Sequence, residues 1–473
     1  MKNIKDTSQE WHNEAIHFFE KKQYDQAIPL FENLALIFEQ SQAWENYVEM
    51  GNKWANALLK TAQHSEAEQL LQKLLQIGLH NLGDKHVLLG GTYEVMSMYN
   101  RAQAEYDKSI SHCLVSLDIY KHSLSEHDPK IANVYEKTGV AYYDKGRYDT
   151  AIEYHQKCLS IRLKALGETN LAVANVYTNL SNAYCEKSET DKAIMYALRS
   201  LHIKRQVLGE MHLSTASNYG NLGAIYFSKE DYKKSIEYQE QALQIKMQLL
   251  GEQHISVAYS YGNLGLVFYK TQQYEKAIAH FVKSTQIILN NYSEQHRLVA
   301  DNYTTMALIS EKNDDIETAV AYQQKALAIH LQKLGKKHPD TALSYHVLGN
   351  LLSRESQYKQ ALTYYQLALQ ANYETFNDDD IYSNPPLEGQ FLSLTLLEIL
   401  SSKALCLAQY YYNETRNTQD LKAAINTYYL ADSLIEQMRN NFFYESAKLT
   451  LSNQAFALSE ETLEAIWVLQ ETT

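Results

Sequence analysis

Apolar residues near the middle of the chain follow the spacing of one helix face. Within residues 218–254, Tyr219, Leu222, Gly223 and Tyr226 recur at positions i, i+3, i+4 and i+7, which predicts an amphipathic helix. A short charged interruption follows, and a second helical pattern begins after it. The stretch therefore predicts two helices joined by a tight turn.

The second pattern begins at Tyr232 and contains small residues at regular intervals. Gly223, Ser235 and Ala242 stand where neighbouring helix backbones would have to approach closely, and large residues such as Leu222 fill the space beside them. Such a helical hairpin cannot bury its apolar faces alone, so it needs a neighbouring hairpin on each side.

The hairpin is repeated along the chain, and the first residue of each second helix gives the register. The first interval between these residues is 40 positions and every later one is 42. The positions are Tyr24, His64, Tyr106, Tyr148, Thr190, Tyr232, Tyr274, Ile316 and Tyr358. We therefore predict nine consecutive hairpins.

The regularity of the repeat predicts four segments. Residues 1–83 form divergent, capping hairpins, and residues 84–377 form seven regular 42-residue hairpins. Residues 378–389 are acidic and contain two prolines, which marks a linker or a sharp loop. Residues 390–473 form a divergent hairpin and a capping helix, with helical patterns at about Phe391–Tyr412, Leu421–Asn440 and Tyr444–Gln470.

The repeated residues resemble the tetratricopeptide repeat. The matching positions are Tyr219, Leu222, Gly223, Tyr226, Tyr232, Ser235, Gln239 and Ala242. The period is 42 residues rather than the usual 34, and no proline ends the second helix. We therefore expect second helices about two turns longer, reaching a Leu-Gly-Glu turn.

Long units that close on Leu-Gly-x-x-His are similar to the kinesin light chain subgroup of these repeats. The resemblance implies an all-α, right-handed superhelical solenoid of about nine to ten hairpins. It also implies that the first helix of each hairpin lines a concave groove.

The C-terminal region has a second, looser resemblance. Lys403, Ala404 and Leu407 followed by residues 420–439 look like the segment that precedes the caspase-like protease domain of bacterial TPR-CHAT proteins. The resemblance implies a sensor or regulatory portion of a protease whose catalytic domain is absent from this chain. No α/β pattern that could hold a His–Cys pair is present in the sequence.

The charge and hydropathy of the chain constrain its partners. The formal net charge is −13, which argues against a general nucleic-acid binder because such a protein needs a basic surface to displace counterions. No segment resembles a secretion signal, and no run approaches the roughly 18 apolar residues of a membrane helix. We expect a cytoplasmic protein with neither a nucleic-acid nor a membrane partner.

The residue types that carry chemistry do not form a catalytic pattern. The four cysteines, Cys113, Cys158, Cys185 and Cys406, form no Cys-x-x-Cys pair, so we expect buried, reduced thiols. No phosphate-binding glycine loop, His-Glu-x-x-His motif or nucleophile elbow stands out. We therefore expect no enzymatic activity, no cofactor and no metal site.

A histidine recurs after the turn of successive hairpins, at His212, His254, His296 and His338. Equivalent residues of neighbouring hairpins lie about 8–10 Å apart, so they form a ladder rather than a cluster of metal ligands. Asp128 and Asn170 occupy the same position in other hairpins, and both are good N-caps. We expect each histidine to start the next first helix.

An asparagine precedes a packed leucine on three successive first helices, at Asn179, Asn221 and Asn263. The resemblance places this row in the concave groove. An asparagine amide both donates and accepts hydrogen bonds, which suits binding of an extended peptide backbone. The alternative is that each asparagine bonds to the adjacent hairpin.

Two further rows vary between hairpins where tetratricopeptide repeats contact their ligands. In one row, the resemblance implies that Tyr143, Phe227 and Tyr269 anchor apolar side chains. In the other, Lys270, Lys312 and Arg354 would receive an acidic segment. The alternative is an ordinary solvated surface. We expect a scaffold that binds a peptide or protein segment in the groove, with the CHAT-associated sensor as the other possibility.

Overall fold

The computed structural model describes residues 4–294, 296–387, 394–441 and 445–472, and all regular secondary structure within these ranges is helical. By its internal contacts the chain divides into two compact units, residues 1–245 and 246–473. Within each unit, consecutive helices pack as antiparallel pairs. The prediction of an all-α fold built from helical hairpins is confirmed.

The first unit contains the divergent hairpins and the first regular ones. Its helices are α1 (Ile4–Glu20), α2 (Tyr24–Gln40), α3 (Trp44–Lys60), α4 (His64–Asn81), α5 (Val87–Ala102), α6 (Tyr106–Ser123), α7 (Pro129–Asp144), α8 (Tyr148–Leu166), α9 (Leu171–Glu186), α10 (Thr190–Leu208), α11 (Leu213–Ser228) and α12 (Tyr232–Leu250). The last residues of α12, from Lys246 onward, belong to the second unit.

The second unit begins with regular hairpins and ends in longer, less regular helices. Its helices are α13 (Ile255–Lys270), α14 (Tyr274–Asn291), α15 (Arg297–Lys312), α16 (Ile316–Leu334), α17 (Pro339–Arg354), α18 (Tyr358–Asn372), α19 (Leu394–Leu405), a π-helical segment (Cys406–Tyr411), α20 (Tyr412–Thr415), α21 (Thr418–Asn441) and α22 (Glu445–Thr472). The three predicted C-terminal helical patterns are present, although Gly389, Phe391 and Tyr444 lie outside the described residues.

Glycine ends the long second helices. Helix α10 stops at Leu208, and Gly209 follows with φ 84°. Helix α16 stops at Leu334 in the same way, and Gly335 has φ 82°. With ψ of 171° and −178° at the two glycines, this conformation is essentially restricted to glycine and costs other residues on the order of 1–3 kcal/mol, so glycine sets the end of the helix. The predicted extension of the second helices to the Leu-Gly turn is confirmed.

Within a hairpin, one small residue on the first helix lies against a larger residue on the second. A Cβ added to Gly223 would lie 2.6 Å from Cγ of Gln239, and one added to Gly349 would lie 2.5 Å from Cε1 of Tyr365. In the hairpin of α9 and α10, Ser181 takes the place of glycine, and its hydroxyl donates to the carbonyl of Ala193 at 2.8 Å. The two helices therefore approach more closely than larger side chains would permit.

Tyrosines of both helices stack beside this close contact. The ring centroid of Tyr196 in α10 lies 5.8 Å from that of Tyr177 and 5.5 Å from that of Tyr184 in α9. Tyr219 and Tyr226 of α11 flank Tyr238 at 6.0 and 5.5 Å. These contacts account for much of the high tyrosine content, 37 residues, as packing.

The acidic, proline-containing segment is held against the helices on either side of it. Lys403 of α19 is fully buried. Its Nζ donates to Gln366 Oε1 at 2.7 Å, to the Ser383 carbonyl at 2.6 Å and to Asn384 Oδ1 at 3.0 Å. Burial lowers the pKa of Lys403 to about 7. These hydrogen bonds hold Ser383 and Asn384 of the segment against α19.

The close contact inside each hairpin predicts that two glycines respond in opposite ways to alanine. Gly349→Ala would push a methyl group into the Tyr365 ring, so we expect a loss of about 1–3 kcal/mol of stability. Gly262→Ala in α13 meets no atom nearer than Ser284 Oγ at 3.8 Å, so the gain in helix propensity, up to about 1 kcal/mol, should prevail. Urea midpoints followed by circular dichroism would measure both, and equal effects would contradict the argument.

Candidate peptide-binding surface

Each regular first helix leaves four positions on one exposed side. In α11 these are Ser217, Asn221, Ala224 and Ser228, at spacings of four, three and four residues, while the residues between them are mostly buried. The same positions recur every 42 residues. We call them the exposed first-helix face.

In the first unit the exposed first-helix face is rich in asparagine. Asn179 Nδ2 of α9 donates to Glu136 Oε1 of the preceding hairpin over 3.5 Å. The described residues offer no hydrogen-bond partner to Asn175, Asn182 or Asn221. Asn179 thus follows the alternative interpretation of the asparagine row, in which the amide bonds to the adjacent hairpin, whereas Asn221 keeps its amide available.

In the second unit large apolar side chains occupy part of the same face, although the exposed Asp301 of α15 is also one of its positions. The side chains of Tyr259, Leu266, Leu308 and Leu343 lie on it with 41–51% of their surface exposed. Asn263, between two of them, is also exposed and has no hydrogen-bond partner among the described residues. The sequence interpretation missed these leucines, although their alignment with Ser217, Ala224 and Asn182 across the repeat could have identified them.

The predicted basic row lies at one edge of this face. Lys270 and Lys312 are exposed, and no carboxylate in the described part of the chain pairs with either. Arg354 differs because its guanidinium bonds to Glu311 at 2.9 Å and to Asp314 at 2.8 Å. Two of the three predicted cations are therefore available, and the third joins neighbouring hairpins.

The predicted aromatic row lies at the hairpin turn and is half-buried. Tyr143, Phe227 and Tyr269 each pack against the tyrosine that opens the following second helix, with ring centroids 5.5, 5.8 and 6.2 Å apart. The Tyr143 hydroxyl also donates to Glu186 of the next hairpin at 3.3 Å. Burial, with the Glu186 carboxylate nearby, raises the pKa of Tyr143 to about 12.

The recurring histidines cap the first helices, as predicted. In each case Nδ1 accepts a hydrogen bond of 3.0–3.3 Å from the backbone N–H two residues further along the chain. Across the described residues, no cluster of three or more His, Cys, Asp or Glu side chains has the arrangement of a metal site. The structure therefore assigns these histidines a structural role.

Within the second unit, a cleft of about 510 Å³ lies where α22 approaches α17. Leu343, Val347 and Asn350 of α17 line one side, and Leu458 and Glu461 of α22 contribute to another. Leu343 and Asn350 are also positions of the exposed first-helix face. The C-terminal helix therefore lies beside the last part of this face.

The family model described as tetratricopeptide repeat matches residues 130–206, 214–290 and 298–374. Each match covers two consecutive hairpins of the structure. These residues, about half of the chain, belong to the tetratricopeptide repeat family.

The solved structures of RapI and NprR share this fold. The apo form of RapI is 16% identical, covers 77% of this chain and 97% of its own, and has a TM-score of 0.56. The apo quorum sensor NprR from B. thuringiensis is 16% identical, with coverage of 78% and 98% and a TM-score of 0.55. Kinesin light chain-like repeats from Podosopora anserina are 18% identical, with coverage of 43% and 97% and a TM-score of 0.40. No curated protein matches the chain by sequence.

In the parts of this tetratricopeptide repeat protein that the structure describes, no helix has both the length and the apolar character of a membrane span.

A buried lysine in the first unit lies behind the exposed first-helix face and was missed at the sequence level. Lys204 of α10 is 6% exposed, and its Nζ donates to Thr178 Oγ1 at 3.1 Å and to Asn218 Oδ1 at 3.3 Å. No carboxylate among the described residues pairs with it. Burial lowers the pKa of Lys204 to about 8, because the charged form loses solvation.

The stability of this repeat protein should therefore depend on pH through Lys204. Between about pH 8 and pH 10 the unfolded chain binds a proton at this residue that the folded chain does not, so folding becomes more favourable as pH rises. We expect the wild type to gain on the order of 2 kcal/mol relative to Lys204→Met across this window. Urea unfolding at each pH measures the difference.

The control for this experiment is Lys233→Met, which removes an exposed lysine of α12. Its difference from the wild type should stay nearly constant over the same range. A constant or falling difference for Lys204→Met would contradict the argument.

Proposed function

We propose that this protein is an interaction scaffold that binds an extended segment of a partner protein along the exposed first-helix face of its second unit. The observation that carries the proposal is the contrast between positions within the repeat. Most buried positions of the first helices keep small or apolar residues from hairpin to hairpin, whereas the exposed first-helix face changes from polar to large apolar, as at Ser217, Tyr259 and Leu343. Such a change of side-chain chemistry along one face would let the surface select a partner.

The apolar part of the face favours contact with apolar side chains. Tyr259, Leu266, Leu308 and Leu343 expose between 41% and 51% of their surface. Complete burial of a leucine side chain contributes about 1.5–3 kcal/mol, so covering these side chains would supply a substantial part of a binding free energy. Apolar residues grouped on one exposed face are typical of interaction sites.

The charges beside the apolar residues favour an acidic group in the ligand. Lys270 and Lys312 have no carboxylate partner among the described residues, whereas Arg354 is already paired. A ligand carboxylate near the two lysines would gain charge-assisted hydrogen bonds. Asn263, in the same unit, offers an amide that can pair with an extended backbone.

The ligand chemistry can be tested by selecting 12-residue peptides from a displayed random library on the full chain. We expect enriched peptides to combine two or more large apolar residues with an aspartate or glutamate. Binding of a selected peptide, measured by fluorescence anisotropy, should weaken at least about tenfold in the Leu266→Asp/Leu308→Asp variant. Lys312→Glu should also weaken binding, by a factor that falls as salt is added.

The matched control is Leu79→Asp, which changes a leucine of similar exposure, 42%, on α4. It should bind the selected peptide like the wild type, and all variants should unfold at nearly the same temperature. Peptides that bind equally well to the Leu266→Asp/Leu308→Asp variant would show that the site lies elsewhere.

A further inference from the structure

The C-terminal helix α22 exposes an apolar stripe on the side away from its buried contacts. Leu458 and Ala465 face the interior of the second unit with 5% and 3% exposure. Phe456, Leu463 and Trp467 are 68%, 66% and 57% exposed, and their spacing of seven and four residues places them on one helix face. We call these three residues the α22 stripe.

The α22 stripe is unusual for this molecule. Its members are the three most exposed large apolar side chains among the described residues. None of them is needed to pack α22, because Leu458 and Ala465 do so on the opposite side. Tryptophan is also enriched among the residues that dominate binding energy at protein interfaces.

The charges beside the stripe are all negative and lie on one side of it. Successive residues of a helix are rotated by about 100° around its axis. This rotation places Glu460, Glu464 and Glu471 along the edge of the stripe next to Trp467. Ser459 and Gln470 lie along the opposite edge. No lysine or arginine occurs between residues 455 and 472. Glu464 accepts a 3.3 Å hydrogen bond from Gln409 Nε2, and neither Glu460 nor Glu471 has a cationic partner among the described residues.

We propose that the α22 stripe docks an amphipathic helix of a partner protein that carries a row of lysine or arginine beside its apolar seam. The apolar seam would cover Phe456, Leu463 and Trp467, and the basic row would face the glutamates. This pairing matches both features of the surface, because helix-in-groove and helix-on-helix contacts combine apolar anchors with flanking charges.

A second copy of α22 fits this surface less well. In an antiparallel pair related by a two-fold axis the two glutamate rows would lie on the same side, so like charges would face each other. In a parallel pair each glutamate row would face the neutral edge and gain no cation. A partner helix with basic residues on both sides of its apolar seam would place cations beside the glutamates whether it runs parallel or antiparallel to α22. The net charge of −13 further disfavours association of two copies of this chain.

The stripe is independent of the proposed peptide-binding function. None of its residues belongs to the exposed first-helix face, so variants of one surface leave the other intact. Failure at either surface can therefore be assigned without ambiguity.

The experiment uses the full chain and two fluorescein-labelled 18-residue helical peptides with the same leucine seam. One peptide carries lysines beside the seam and the other carries glutamates at those positions. We expect the lysine peptide to bind at least about tenfold more tightly than the glutamate peptide. Trp467→Ala should weaken its binding by about tenfold or more, and Leu79→Ala, at an exposed leucine of α4, should not.

Reversal of charge tests the pairing directly. Glu460→Lys/Glu471→Lys should exchange the preference, so that the glutamate peptide binds more tightly. The proposal would be overturned if this variant kept the preference of the wild type, if Trp467→Ala did not change binding, or if neither peptide bound. Sedimentation velocity showing a dimer of the wild type that Trp467→Ala converts to a monomer would also overturn it, because the occupant would then be a second copy.

Discussion

The close approach of the two helices at one position per hairpin is the contact on which the rest of the structure depends. Wherever glycine stands at this position, a larger residue of the second helix occupies the space: Gln239 against Gly223, Phe281 against Gly265 and Tyr365 against Gly349. This contact fixes the rotation of each helix about its axis. The tyrosine stacks then fall in the same places in successive hairpins, because the rotation is the same.

The fixed rotation also determines which positions remain free. Once the buried positions of a first helix are assigned to packing, four positions stay exposed, and substitution at these positions costs little stability. The first unit places Asn175, Asn182 and Asn221 there, and the second places large apolar residues there. A single packing scheme thus presents two chemically different surfaces, which is how a repeat architecture can acquire specificity without altering its core.

Much of this architecture could be predicted from the sequence, because a 42-residue period repeats every buried position and so marks helices, turns and caps many times over. The contacts of the candidate site were harder to predict from the sequence. Tyr143 and Arg354, which the sequence predicts as ligand contacts, also bond to Glu186 and Glu311 across a spacing of 43 residues. Equivalent positions of successive hairpins are 42 residues apart, so each of these pairs joins two positions that are not equivalent. Comparing equivalent positions along the sequence therefore does not reveal the pairs. The α22 stripe lies outside the repeat and has no equivalent for comparison.

The two proposed surfaces of the second unit carry opposite charges, and these charges would determine which ligand each surface binds. Lys270 and Lys312 border apolar residues of the exposed first-helix face, whereas Glu460 and Glu471 border the apolar α22 stripe. An apolar ligand alone would not distinguish the two, since both offer leucine and aromatic side chains. Charge provides the distinction, because an acidic ligand is attracted to the first surface and repelled from the second. The scaffold could therefore hold an acidic segment and a basic helix at the same time, each excluded from the other's surface by electrostatic repulsion.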